Sequence, residues 1–370
     1  MLNKKNTSDI KAKKYILRFE DLMQPGDVIL TAAPTIPSKG IRKVTKSNFS
    51  HAILYLGNSY MHSDLDGVHS GNPQRLLFES SEHVKVLRLK QEYISPQIIE
   101  NICAFARTQY GKQYSKFEAA KSVLTPNALR QKNRQFCSRL VAQSFENANI
   151  KIVRNTNYCT PHEISISKYF EEVKDVIELA TNEEIEFSNS DNPLNVQSNI
   201  INKLLEDIRS LLGKDIQTLE QIIPFLILNR EYDSKITKTL KDSGYLDIWK
   251  IDYNKNPWRY DGSIFLKFNN KKALINFRNN IHNQSLDYDD LKIAMAYGEL
   301  GLFSGKTPSI NEGLRYQNQY NLYSDLYIKY HLDYFYTKKK LYEQLLKNCR
   351  KRIDAAEHVL NHYRLKNSLQ

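Results

Sequence analysis

The stretch NFSHAILYLGNSYMH, residues 48–62, predicts a β-hairpin that has one histidine near its start and another at its end. Segment 51–56 is rich in residues that suit a buried, pleated strand, and a Gly-Asn pair then supplies a turn. Ten residues separate His51 from His62, so the hairpin places the two imidazoles opposite or diagonal to each other. A histidine oriented by a second polar group keeps one tautomer and can serve as a proton acceptor beside a nucleophile.

The candidate nucleophile is Cys137, in the segment RQFCSRLVAQSF, residues 134–145. Cys137 shares a helical face with Leu140, which predicts that it faces the core from the first turn of a helix. The unpaired N–H groups and the dipole at a helix start favour a thiolate, and Arg134 and Arg139 are expected to add positive charge. The position of Cys137 at a helix start, beside two arginines, therefore favours a reactive thiol rather than an inert one.

A cysteine at a helix start that faces a histidine on a strand is the papain arrangement, but here the histidine comes first. That order, with the surrounding residues, resembles the circularly permuted papain-like enzymes of the YiiX/YebB type, relatives of NlpC-type cell-wall hydrolases and of lecithin:retinol acyltransferases. The matching segments, all in roughly the first half of the chain, are LMQPGDVI (22–29), FSHAILYLG (49–57), DGV (66–68), YGKQY (110–114), FCSRLV (136–141) and CTPHEI (159–164). The resemblance implies Cys137 as the nucleophile and His51 as its base.

The third catalytic position has two candidates. Relatives carry Glu, Gln or His there, and His62 fits by its spacing. The alternative is Glu79, at the end of a predicted strand at 75–78, although it could equally be a structural surface carboxylate. We expect His69 and His162 to lie outside the triad.

Length and composition are ordinary for a globular protein of two domains. The chain has 370 residues, of which 41% are hydrophobic and 25% charged. It contains no run of about 18 apolar residues, so no transmembrane segment is expected. Residues 1–14 contain five lysines and no apolar core, which is not the pattern of a secretory signal. Cytoplasmic residence is the default expectation, with export by dedicated machinery as the alternative.

The four cysteines are at positions 103, 137, 159 and 349 and show neither CxxC pairing nor the spacing of metal ligands. This argues against a disulfide framework and a structural zinc site, so thiols are expected. The 13 glycines form no phosphate-binding loop. No cofactor and no metal is predicted.

Basic residues are concentrated around the candidate nucleophile. Segment 101–154 contains ten Lys or Arg and two Glu, a local charge of +8 within a total of +12. Such a surface attracts an anionic peptide or an anionic lipid. Nucleic acid is not expected as a partner because no aromatic-interleaved or glycine-rich binding motif accompanies the charge. A solvated basic face without a ligand is the alternative.

We assign the chain to the α+β class, with a permuted papain-like domain at 1–177, an acidic polar linker at 178–199 and a mainly helical domain of unknown role at 200–370. The helical domain carries tyrosines at steps of 4 and 3 on one predicted long helix: Tyr316, Tyr320, Tyr323, Tyr327, Tyr330 and Tyr334. A packed tyrosine still needs a partner for its hydroxyl, so this face is expected to meet another helix or a partner protein.

The expected chemistry is acyl transfer through a cysteine thiolate. His51 would take the proton of Cys137, and the thiolate would attack a carbonyl carbon. Hydrolysis of an amide bond in a peptidoglycan-type peptide is the first expectation. Hydrolysis of a lipid or acyl ester, or acyl transfer, at the same site is the second. The alternative from another class is a non-catalytic scaffold that works through the helical domain.

Overall fold

The structure, a computed structural model, describes residues 13–19, 22–32, 49–114, 134–281, 285–305 and 311–368. Its strands are β1 (Tyr15–Leu17), β2 (Val28–Thr31), β3 (His51–Tyr55), β4 (Tyr60–Asp64), β5 (Gly67–Gly71), β6 (Val84–Leu89), β7 (Phe170–Glu172) and β8 (Ile177–Leu179). Six of them form one sheet in the order β5-β4-β3-β2-β6-β7, in which all neighbours are antiparallel. β1 and β8 pair separately.

Both faces of the six-stranded sheet are buried at its central strands, β2 and β3. Successive residues of a strand point to opposite faces, and in β2 and β3 both sets are apolar. Leu30 and Leu54 face a core that includes residues of α1 (Pro96–Thr108) and α2 (Cys137–Asn147), whereas Ile29 and Ile53 pack in a second cluster with β1. Complete burial of one such side chain stabilises the fold by about 1.5–3 kcal/mol. The sheet is thus a rigid support for the residues along its strands.

The other helices belong mainly to the C-terminal region. They are α3 (Pro161–Ser165), α4 (Asn182–Asn189), α5 (Pro193–Leu212), α6 (Ile222–Leu228), α7 (Asp233–Asp242), α8 (Trp249–Lys255), α9 (Gly262–Leu266), α10 (Lys271–Asn280), α11 (Tyr288–Ser304), α12 (Glu312–Tyr330) and α13 (Asp333–Ser368). A sheet domain followed by helices confirms the α+β class. In the described part of the chain, no helix is both long and apolar enough to cross a membrane.

The α5 helix packs against the sheet domain next to its edge strand β5. Gly111 has φ of +86°, and a Cβ placed there would lie 2.4 Å from a side-chain carbon of Leu205. The backbone N–H of Gln113 donates to Oε1 of Gln217 at 2.9 Å. The glycine therefore permits the close approach of the helical region to this side of the sheet.

The interval 178–199, predicted as a linker, is structured. It contains most of β8, all of α4 and the start of α5. The guanidinium of Arg75 donates to the carbonyl oxygens of Phe187 at 2.9 Å, Ser190 at 2.6 Å and Asp191 at 3.0 Å. These bonds fasten the interval to the sheet domain. The domain boundaries themselves remain a prediction.

Two local predictions of secondary structure are wrong, and the first concerns segment 75–78. The strand predicted at 75–78 is a 3₁₀ turn at Pro73–Arg75, followed by an isolated bridge between Phe78 and Tyr15. Asn72 caps that turn by accepting a hydrogen bond from the N–H of Gln74, which favours a turn over extension.

The tyrosine stripe is not on one long helix either. His331, with φ of 54°, ends α12, so Tyr334 belongs to α13. Tyr323 stacks on Tyr342 of α13 with ring centroids 5.7 Å apart and planes inclined by 13°. The expected contact with another helix is present, whereas contact with a partner protein remains a prediction.

Candidate active site

The hairpin of β3 and β4 brings the two predicted histidines together. Leu54 pairs with Met61 and Tyr55 with Tyr60, a register that sets His51 and His62 diagonally on one face. Nε2 of His51 lies 3.0 Å from Nδ1 of His62, within hydrogen-bonding distance.

Cys137 is the first residue of α2, as the helical spacing predicts, and only 8% of it is exposed. Burial disfavours its thiolate, but the charge of His51, a hydrogen bond with that ring and hydrogen bonds from the backbone at Ala52 and Ser138 outweigh burial. The net effect lowers the pKa of Cys137 below its ordinary value. The thiolate is thus stabilised by groups from β3 and from the helix start.

The His51 imidazole shows the complementary shift. Burial lowers its pKa, but the charge of Cys137, the hydrogen bond with Cys137 and the charge of Asp64 outweigh burial and raise it. A lowered thiol pKa beside a raised imidazole pKa favours the thiolate–imidazolium pair. Because Nε2 of His51 meets His62, Nδ1 is the nitrogen left for Cys137.

His62 is held in its neutral form. Burial and the charges of His51 and His69 lower its pKa well below the ordinary value, and Asp64 opposes them only in part. A neutral His62 can accept the Nε2–H of a protonated His51 at Nδ1, which fixes the ring of His51. It can do so only if its own proton is on Nε2.

Asp64 and His69 surround the far side of His62, and the sequence analysis did not place them there. Nε2 of His69 lies 3.0 Å from Oδ1 of Asp64. Burial raises the pKa of Asp64, but the contact with His69 and the charges of both histidines lower it to about 2. The alternation of His62 and Asp64 in β4 and the Asp-Gly turn before β5 were available as signals for this cluster.

Two other sequence-predicted contributors lie elsewhere. Glu79 has a side chain that is 47% exposed and pairs with Lys14, so the structure does not bring it to Cys137. Arg139 is buried, and its guanidinium donates to the carbonyls of Asn157 at 2.8 Å and Arg134 at 3.0 Å. These hydrogen bonds hold the guanidinium against the backbone at Asn157 and Arg134.

The other three cysteines have raised rather than lowered pKa values. All four are free and buried. Burial raises the pKa of Cys103 and of Cys349 to about 12, and it also raises the pKa of Cys159. Cys137 is the thiol whose pKa is lowered.

Comparison with known protein families is consistent with this geometry. Residues 22–175 match the model of the permuted papain-like amidase enzymes of the YaeF/YiiX, C92 family. This part of the chain is similar to the permuted papain-like domain of that family. The match covers the six-stranded sheet, α1, α2 and α3, and does not extend to the helical region from α4 onward. Papain-like amidases are cysteine hydrolases, so the family supports that general activity.

A solved structure, the metalloprotein YiiX from Escherichia coli O157:H7, is also similar to part of this chain. The identity is 16%, the match covers 40% of this chain and 96% of that one, and the TM-score is 0.28. A comparison with curated proteins finds no match.

Proposed function

We propose that this protein is a cysteine-dependent amidase that cleaves an amide bond in a negatively charged peptide, with Cys137 as nucleophile, His51 as base and His62 as the residue that orients His51. The observation that carries the proposal is the buried thiol of lowered pKa at the start of α2, hydrogen bonded to an imidazole of raised pKa. Structural thiols have no reason to be stabilised as thiolates, whereas nucleophiles do.

The reaction follows from these positions. Nδ1 of His51 takes the proton of Cys137, and the thiolate attacks the amide carbonyl carbon. The oxyanion that forms is placed to accept hydrogen bonds from backbone N–H groups at the start of α2. The imidazolium then protonates the leaving amine, leaving a thioester on Cys137. A water molecule, deprotonated by His51, hydrolyses the thioester and restores the thiol.

A cleft of about 500 Å³ beside the site supports a peptide substrate. It extends from Tyr114 to residues of α5. Burial, and to a smaller extent the charges of Cys137 and Asp64, raise the pKa of Tyr114, so this side chain lies near the site. A cleft of this volume between two regions of a chain is typical of ligand sites. The cleft is thus lined in part by the helical region.

The charged residues that line this cleft are three cations, Arg134, Lys203 and Arg209, and two anions, Asp66 and Glu206. The small excess of positive charge favours an anionic substrate. Burial lowers the pKa of Arg209, the charges of Asp215 and Glu206 oppose that shift, and the charge of Arg134 adds a smaller lowering, so the two cations lie near each other. Arg134 has no ion-pair partner among the residues that the structure describes. A substrate carboxylate, as in cell-wall stem peptides, is the group that this pair would bind.

The test compares peptide and lipid substrates. Wild type, Cys137→Ala and the matched control Cys103→Ala are incubated with purified peptidoglycan fragments and with anionic phospholipid vesicles, at low and high salt. We expect peptide cleavage by wild type and Cys103→Ala alone, slower at high salt. Cys137-dependent release of fatty acid without peptide cleavage would show an ester hydrolase instead. An unreactive Cys137 would indicate a scaffold.

The charge argument has its own variant. Arg134→Gln is expected to raise KM for a peptide with free carboxylates and to weaken the dependence of the rate on salt. Lys366→Gln, in the last turn of α13, makes the same charge change elsewhere and is the control. An Arg134→Gln enzyme with unchanged KM and unchanged salt dependence contradicts the assignment of the anion site.

A further inference from the structure

Three side chains with metal-ligand chemistry meet beside the catalytic pair, on β4 and β5. His62 and Asp64 share a face of β4, and His69 is directly opposite His62 on β5. Nε2 of His62 lies 3.8 Å from Oδ2 of Asp64, and Nε2 of His69 lies 3.0 Å from Oδ1. One ligand atom from each residue falls within 4.8 Å of the other two. Cysteine spacing does not reveal this cluster, because none of its members is a cysteine.

The orphaned nitrogen of His62 is the second observation. Its Nε2 is buried and has no hydrogen-bond partner in the described part of the chain, because 3.8 Å to Asp64 is too long. Leaving a buried polar atom unpaired is unfavourable, and such atoms in native structures often bind an ion or a water molecule.

The ligand atoms are close enough for one tetrahedral ion to draw them together. With bonds of about 2.0–2.2 Å, neighbouring ligand atoms of a tetrahedral zinc site lie about 3.4 Å apart. The three ligand atoms here lie within 4.8 Å of one another, so the side chains must shift by up to about 1.4 Å to bind an ion. Two imidazoles and a carboxylate form a ligand set that suits zinc better than it suits calcium or magnesium. The side chain of Asp64 is 37% exposed, which gives an ion a route from solvent and leaves a fourth position for water.

We propose that His62, Asp64 and His69 form a zinc-type metal site, and that an ion bound there switches off the adjacent Cys137–His51 pair. The second half of this inference rests on the proposed function, whereas the first half does not. The ion would be a reversible inhibitor and would take no part in the cleavage reaction.

The inhibition follows from where the proton of His62 must lie. Catalysis needs that proton on Nε2, so that Nδ1 accepts the Nε2–H of a protonated His51. An ion on Nε2 of His62 displaces the proton, and the neutral ring then carries it on Nδ1, aimed at Nε2 of His51. His51 must now accept at Nε2 and keep its proton on Nδ1. It can no longer take a proton from Cys137.

Metal binding is measured first and without reference to activity. Zn²⁺ is titrated into the full-length Cys137→Ala protein by calorimetry, and Co²⁺ is added as a spectroscopic probe of coordination number. We expect one site per chain, absorption typical of tetrahedral Co²⁺ and no thiolate charge-transfer band. Because replacing even an indirect partner of a metal ligand costs about 10- to 100-fold in affinity, His69→Asn should weaken binding by at least about tenfold. Asp64→Asn, which preserves side-chain size, is the second ligand variant, and His162→Ala is the control.

The switch is measured by alkylation of Cys137 with iodoacetamide at pH 6.5. A thiol without imidazolium support, with a pKa of about 8.5, is only about 1% thiolate at that pH, so saturating Zn²⁺ should slow alkylation of wild type by about 10- to 100-fold. Alkylation of His69→Asn, compared with its own rate without metal, should be unaffected by the same zinc concentration. A chelator should restore the wild-type rate.

The outcomes separate the two proposals. Fast alkylation of Cys137 without metal supports the nucleophile whatever zinc does. Zinc that inhibits His69→Asn as strongly as wild type is binding Cys137 itself, and this overturns the switch. If zinc binds the Cys137→Ala protein equally tightly after His69→Asn or Asp64→Asn is added, the metal site is overturned. If zinc binds wild type without slowing the alkylation of Cys137, the switch is overturned.

Discussion

Replacing His62 by alanine should remove the group that orients His51. In the native protein, Nδ1 of His62 lies 3.0 Å from Nε2 of His51, and alanine offers no acceptor at that position. When the thiolate forms, the donor in that interaction is a charged imidazolium. A hydrogen bond to a charged group contributes about 1.5–3 kcal/mol, and about 1.4 kcal/mol corresponds to a factor of ten, so kcat/KM for an amide substrate is expected to fall by about 10- to 150-fold.

The assay pairs turnover with alkylation of Cys137, which should remain detectable in His62→Ala. His62→Gln should recover part of the rate, because its amide oxygen can accept the Nε2–H of His51, whereas a purely structural defect would not respond in this way. Glu79→Ala is the control, since Glu79 pairs with Lys14 at the surface. A His62→Ala enzyme as active as wild type would refute the assignment, and a Glu79→Ala enzyme as slow as the His62 variant would transfer the role to Glu79.

Three further outcomes are expected. The kcat/KM should follow a bell-shaped pH profile. Its acidic limb should lie below the ordinary cysteine pKa, because the pKa of Cys137 is lowered, and its basic limb should lie above the ordinary histidine pKa, because the pKa of His51 is raised. A single rise near pH 8.5 would contradict this prediction. Leu140→Ala should lower the free energy of unfolding in urea by about 2–5 kcal/mol, because Leu140 is fully buried behind the nucleophile, while the exposed Leu65→Ala should change it by less than about 0.5 kcal/mol. Arg75→Ala should accelerate limited proteolysis within 178–199, since Arg75 binds carbonyl oxygens there; equal cleavage rates would show that other contacts hold the segment.

Local sequence signals were sufficient for the two elements that carry the proposed catalytic residues. The hairpin of His51 and His62 is specified by apolar strand residues, a Gly-Asn turn and a spacing of ten residues, all of which act between neighbours. The start of α2 at Cys137 is specified by helical periodicity, which is also local. The same reasoning predicted one helix through His331, where a single left-handed residue instead ends α12.

The surroundings of the site depended on the tertiary structure. The Arg75 anchor on 187–191 joins residues more than a hundred positions apart, and no local pattern encodes that contact. The sequence by itself determined the β3–β4 hairpin, the helix that begins at Cys137 and the nearness of one histidine to a second. Only the packed sheet decided that Asp64 and His69, rather than Glu79, surround His62. The physical reason is that strand periodicity sets the face on which a side chain lies, whereas the strand that pairs alongside, and hence the neighbouring charge, is set by burial of the whole core.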